Sequence, residues 1–167
     1  APVVMLVLDY RPNLSNSLCQ AGSDCENLLG TEINNHITKT SGTVTTFDAM
    51  RAVFATLINQ IEGVRLGAMI SHDDNCKKKS GPSASGCSNG AYILQGAKPM
   101  LANDSNGAKQ ALLNKLAAIP VPHGNLAHSY QGKEIYFELF RYLSGQGIYN
   151  GHLGYQDYGN SSTSGNL

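Results

Sequence analysis

The sequence predicts an α/β domain: a mostly parallel sheet flanked by helices. Three observations carry this expectation. Short, continuously apolar runs suit buried strands, longer segments place apolar residues at steps of three and four, and the two kinds alternate along the chain. In such sheets ligands sit beyond the carboxyl ends of the strands, so residues just after each strand are the first candidates for a site.

VVMLVL, residues 3–8, is too short for a helix and shows no polar alternation; it reads as a central strand buried on both faces. Residues 13–45 are rich in Ser, Asn, Thr and Gly and read as one long loop, with Ile33 and Ile37 marking at most a short insert. Thr46 looks like an N-cap. Phe47, Met50, Val53, Phe54, Leu57, Ile58 and Ile61 then form one apolar stripe, with Asp48 in the first turn and Gly63 placed to end the helix. VRLGAMIS (64–71) and GAYILQG (90–96) read as the second and third strands. Asn106 can cap a helix carrying Leu112, Leu113, Leu116 and Ile119, which Pro120 stops. KEIYFELFRYLSG places Ile135, Tyr136, Leu139, Phe140 and Leu143 on one helical face before Gly145, and leaves Glu134 and Glu138 for the solvent side. Residues 160–167 are a Ser/Gly/Asn tail.

The 167 residues suit one domain, residues 1–159, ahead of that tail. Lys plus Arg equals Asp plus Glu at 12 each, so no net field favours nucleic acid or an anionic membrane. No apolar stretch approaches the ~20 residues of a bilayer span. Cys19 and Cys25 are spaced C-x5-C and Cys76 and Cys87 C-x10-C, unlike zinc or redox motifs. Two local disulfides, Cys19–Cys25 and Cys76–Cys87, are expected, and with the Ala1-Pro2 start they favour an exported protein. The sequence lacks H-E-x-x-H, G-x-x-x-x-G-K-[ST] and G-x-G-x-x-G, so zinc and phosphate-cradling chemistry has no support; the serines of SGPSASG lie in a loop between cysteines, where composition alone explains them, and a noncatalytic role is expected.

VVMLVLDYRPNLSNSL resembles the first strand and metal loop of von Willebrand factor A domains, in which Asp-x-Ser-x-Ser follows a buried strand. HDDNC, CSNGAYILQGAKPM, NGAKQALLNKLAAIPVP, YQGKEIYFELFRYLSGQGIYNGH and GYQDYG, in that order, resemble the N-terminal region of PilC/PilY-type adhesins of type IV pilus tips. The resemblance runs from Val3 to about Gly159. It implies a Rossmann-like, von Willebrand A-like fold in an exported bacterial surface protein that works in adhesion or fibre assembly. Its partners would be other pilus or fibre subunits, further copies of itself, or a host or surface receptor. The family's third metal loop lies on a strand beyond those found here, so strand one has neighbours on one side only. The exposed edge is expected to be covered, either by segments of a longer native protein or by another copy donating a strand.

The resemblance implies calcium or magnesium as cofactor, held by Asp9 and Asn13 and by Ser129 near the family's second loop, where the family's threonine is absent; separately, Asp73 and Asp74 beyond the second strand offer hard oxygens that suit calcium. The loop departs from the family pattern as D-x-R-x-N: Arg11 brings a fixed positive charge to the place of a cation. By turn statistics the favoured reading of Asp73 and Asp74 is an Asx turn that ends their strand. Two functions therefore compete: an adhesion or assembly domain without a metal, and a cation-dependent ligand-binding receptor module.

Overall fold

The computed structural model describes residues 1–71, 90–122 and 131–147, with only the backbone of 131–134. The element order is β1 (Val3–Leu8), a 3-10 turn (Pro12–Ser15), α1 (Asp24–His36), α2 (Thr46–Gln60), β2 (Arg65–Ser71), β3 (Ala91–Pro99), α3 (Ala108–Ala118) and α4 (Gln131–Leu143). The chain is therefore α/β, with a three-stranded sheet in the order β1-β2-β3.

The sheet is mixed, which corrects the mostly parallel expectation. β1 pairs with β2 in parallel, Val3 opposite Arg65 through Leu8 opposite Ile70, whereas β2 pairs with β3 antiparallel. Residues 72–89 contain no Val, Ile, Leu, Met or Phe from which to build a crossover helix, and successive strands without a crossover pair antiparallel. β1 is also an edge strand among the described residues, not a central one: Val3 is 52% exposed, Val4 to Val7 are half-buried, and only Leu8 is buried.

Alternation along the strands divides the core in two. Leu8, Leu66, Ala68, Ile70 and Leu94 join residues of α1, α2 and α3, including Ile33, Phe47, Ile58, Leu112 and Leu116, in the larger cluster. Met69, Ala91 and Ile93 meet Ile135 of α4 in a smaller one, against which Met5, Val7, Leu139 and Tyr142 pack. One strand residue must have no side chain. A Cβ on Gly67 would lie 2.5 Å from Met5 Sδ and 2.8 Å from the Gln95 carbonyl oxygen, so β1, β2 and β3 approach one another only over a glycine.

α1 stands where a loop was expected. Ser23 accepts from the Glu26 N–H and Glu26 accepts from the Gly22 N–H, capping the helix, and Cys19 is disulfide-bonded to Cys25 in its first turn. The bond fixes the entry to α1 and contributes about 2–3 kcal/mol by the loop-entropy account. The second expected bridge, Cys76–Cys87, lies outside the described residues. α2 begins one residue earlier than expected, on Thr45 within a full capping box with Asp48. α3 starts at Gly107 in the left-handed region, while Asp104 accepts from the Lys109 and Gln110 N–H groups and Asn106 from that of Ala108. Asp104, as much as Asn106, does the capping, and those backbone donors hold its pKa below the ordinary value.

The α4 face is also corrected. Ile135 and Glu138 are buried, whereas Tyr136, Phe140 and Leu143 are exposed. The Tyr142 hydroxyl accepts from the Ala97 N–H, and Glu138, one turn earlier on the same side of the helix, is buried against the sheet.

The helical layer is tied by a buried ion pair. Arg51 and Asp48, one turn apart on α2, are both 0% exposed and joined at 3.0 Å. Arg51 also donates to the carbonyls of Thr38 and Ala117 and lies 5.2 Å from the centroid of the Phe47 ring. Burial by itself would raise the pKa of Asp48, but hydrogen bonds from the backbone and hydroxyls of Thr40 and Thr45 outweigh it, and the net shift is downward.

Asp48→Ala would leave a buried guanidinium without its counter-charge, so urea unfolding should show a loss of about 3–5 kcal/mol. Because the folded pKa lies below the ordinary 3.8, the stabilisation from Asp48 is complete above that value and is lost as pH falls through the folded one. Thermal scans of the unsubstituted protein should show a steep acid-side decline there. Gly67→Ala should cost about 1–3 kcal/mol by overpacking against Met5 and the β3 backbone, with the far-UV spectrum retained.

Candidate functional site

The parallel pairing of β1 and β2 brings their carboxyl ends to one edge of the sheet, where Leu8 lies opposite Ile70. Two residues close that rim. The Tyr10 N–H donates to Ser71 Oγ at 2.7 Å, and the Tyr10 hydroxyl donates to the Pro120 carbonyl at 2.9 Å. Tyr10 is 0% exposed and meets the Phe47 ring edge-on at 5.5 Å. Sequence reading missed both roles. A tyrosine two residues past an apolar strand carried the only available signal, because an aromatic with a polar tip suits a rim that is apolar inside and hydrogen-bonded above.

Asp9 stands on this rim, half-buried, with both carboxylate oxygens engaged by one side chain. Arg11 Nε donates to Oδ1 at 2.7 Å and Arg11 Nη2 lies 2.5 Å from Oδ2. This is a two-pronged guanidinium–carboxylate pair, the strongest geometry such a pair adopts. The positive charge read from the sequence as an intruder in the expected metal loop thus sits on the residue expected to be that loop's first ligand. An Asp oxygen in that pair reaches a divalent cation only after the guanidinium leaves, and any cation that came would meet a fixed charge of its own sign.

The other expected ligands are less well placed. Asn13 is exposed within the 3-10 turn, where its backbone carbonyl accepts from the Asn16 N–H. Asp73, Asp74 and Ser129 lie outside the described residues, as does His72. Among the described residues, no three His, Cys, Asp or Glu side chains come together as a metal-holding group. No described helix is long and apolar enough to cross a membrane.

Two other surfaces could engage a partner. The outer flank of α4 carries a shallow hollow of about 310 Å³ lined by Tyr136, Leu139, Phe140, Leu143 and Ser144. The free side of β1 is the other. Comparison with protein families, with curated proteins and with solved structures finds no match to this chain.

The Asp9–Arg11 pair is partly solvated, so it should contribute less than about 1 kcal/mol. Asp9→Ala should therefore shift the urea midpoint only slightly, in contrast to Asp48→Ala.

Proposed function

We propose that this chain is a noncatalytic adhesion or fibre-assembly domain of an exported, type IV pilus-associated protein of the PilC/PilY kind, its scaffold a von Willebrand A-like α/β layer. The order of the five sequence stretches quoted above supports the family, and the Cys19–Cys25 bond suits an oxidising compartment. The choice between the two competing roles rests on one observation. Arg11 grips the carboxylate that would start a metal site, so the rim behaves as a closed structural corner and leaves attachment to the apolar surfaces.

The partners under this reading are fibre subunits or a surface receptor that bind through apolar contact and strand pairing, with neither calcium nor magnesium as an intermediary. The disulfide and the buried Asp48–Arg51 pair then act as stiffeners that hold the docking surfaces in place.

Calorimetric titration with calcium, magnesium and manganese tests this. The expected result is heat of dilution alone, for the unsubstituted protein and for Asp9→Ala alike. Micromolar binding that disappears in Asp9→Ala would replace this reading with the cation-dependent receptor.

A further inference from the structure

The Arg65 N–H donates to the Pro2 carbonyl at 2.8 Å, which fixes the phase of the β1–β2 ladder. In a parallel pair, alternate residues of a strand turn both backbone groups toward the neighbour and the intervening ones turn both away. The Pro2 carbonyl, both groups of Val4 and Leu6, and the Leu8 N–H therefore serve β2. The N–H and C=O groups of Val3, Met5 and Val7 point off the sheet, and none of them has a partner among the described residues.

Soluble proteins protect such an edge with a charge, a proline or a bulge. β1 has none of these between Val3 and Leu8, and its pairing with β2 is regular throughout. Its side chains toward α4 are Val3, Met5 and Val7, of which Met5 and Val7 flank the smaller core cluster without being covered. Pro2 does not obstruct the edge, because position 2 turns toward β2.

We infer that the open edge of β1 is a self-association site: a second copy of this chain pairs its own β1 antiparallel to it about a two-fold axis at Met5. The three outward residues are symmetric about Met5, so the strand is its own complement. Met5 faces the partner's Met5, Val3 faces the partner's Val7, and all the outward N–H and C=O groups are satisfied in one register. The valine pairs are β-branched cross-strand neighbours, which favour pairing. A formal net charge of zero at pH 7 leaves no global repulsion between copies. The axis stands normal to the sheet, so both α4 helices lie on one face of a continuous six-stranded sheet. This deepens the assembly reading above, on which it rests, by naming the partner and the contact.

Sedimentation velocity from about 1 µM to about 1 mM, the range in which a weak dimer fills, tests the inference together with amide exchange at Val3, Met5 and Val7. The expected result is a monomer–dimer equilibrium in which those three amides gain protection as concentration rises. Val3→Lys should weaken the dimer by about tenfold or more, since a lysine on an edge strand opposes pairing. Met5→Pro, which removes an outward N–H that β2 does not use, should do the same; circular dichroism checks that both variants are folded. A monomer at every concentration overturns the inference. So do edge amides protected equally at all concentrations, which would mean that the chain covers its own edge, and a dimer indifferent to both substitutions, which would place the contact elsewhere. A monomer that is also silent in calorimetry removes the self-pairing while leaving the metal-independent reading in place.

Discussion

The buried charge pair on α2 is the constraint around which the helical layer is arranged. A guanidinium enclosed in apolar surroundings is tolerable only if a carboxylate and several carbonyls surround it. Arg51 obtains these from Asp48 on its own helix, from Thr38 before α2, and from Ala117 near the end of α3. The last contact sets a cation against a helix carboxyl terminus, where the peptide dipoles favour it. Asp48, for its part, completes the N-terminal capping of α2 and gathers both hydroxyls and both backbone N–H groups of Thr40 and Thr45. One pair of side chains thus fixes the start of α2, the approach of the preceding segment and the position of α3. The large apolar cluster behind the sheet is assembled around that geometry.

The sheet was legible in the sequence where burial is two-sided and less so where partners decide. Leu66 to Ser71 is buried throughout, and its apolar run marked β2 almost to the residue. β1 carries the same kind of run yet sits at the edge, because an apolar pattern reports what a strand would bury and not how many neighbours it has. The antiparallel turn-back of β3 was open to inference from the lack of apolar residues between it and β2. Alternation of helices and strands along the chain pulled the reading toward a parallel sheet.

Helices were legible in proportion to their apolar stripes. α2 and α3 follow theirs. α1 buries only Gly30 and Ile33 completely, so its polar composition resembled a loop, although Ser23 and Glu26 carried a capping signal that hydrophobic periodicity does not detect. The inward Asp48–Arg51 pair was hidden for a related reason: charges three residues apart ordinarily decorate a solvent face. The residue types at the rim already set Arg11 beside Asp9 in the sequence, and the structure adds that the two side chains pair directly. The sealing role of Tyr10 depends on Ser71 and Pro120, far away in sequence, so the local pattern could hint at a rim residue but not at its partners.

The two layers over the sheet are unequal, and this shapes how the protein comes apart. Among the described residues, three helices and a charged lock close one side, whereas α4 closes the other, with its Ile135 over Met69, Ala91 and Ile93. The α4 side has the smaller buried apolar cluster among the described residues, so α4 is the natural first segment to peel away during thermal fluctuation, as a cooperative unit smaller than the domain. Once α4 peels away, Met69, Ala91 and Ile93 meet water on a sheet whose β1 border has unpaired outward groups among the described residues. The species most prone to irreversible clumping is then a nearly native one, with the helical layer intact.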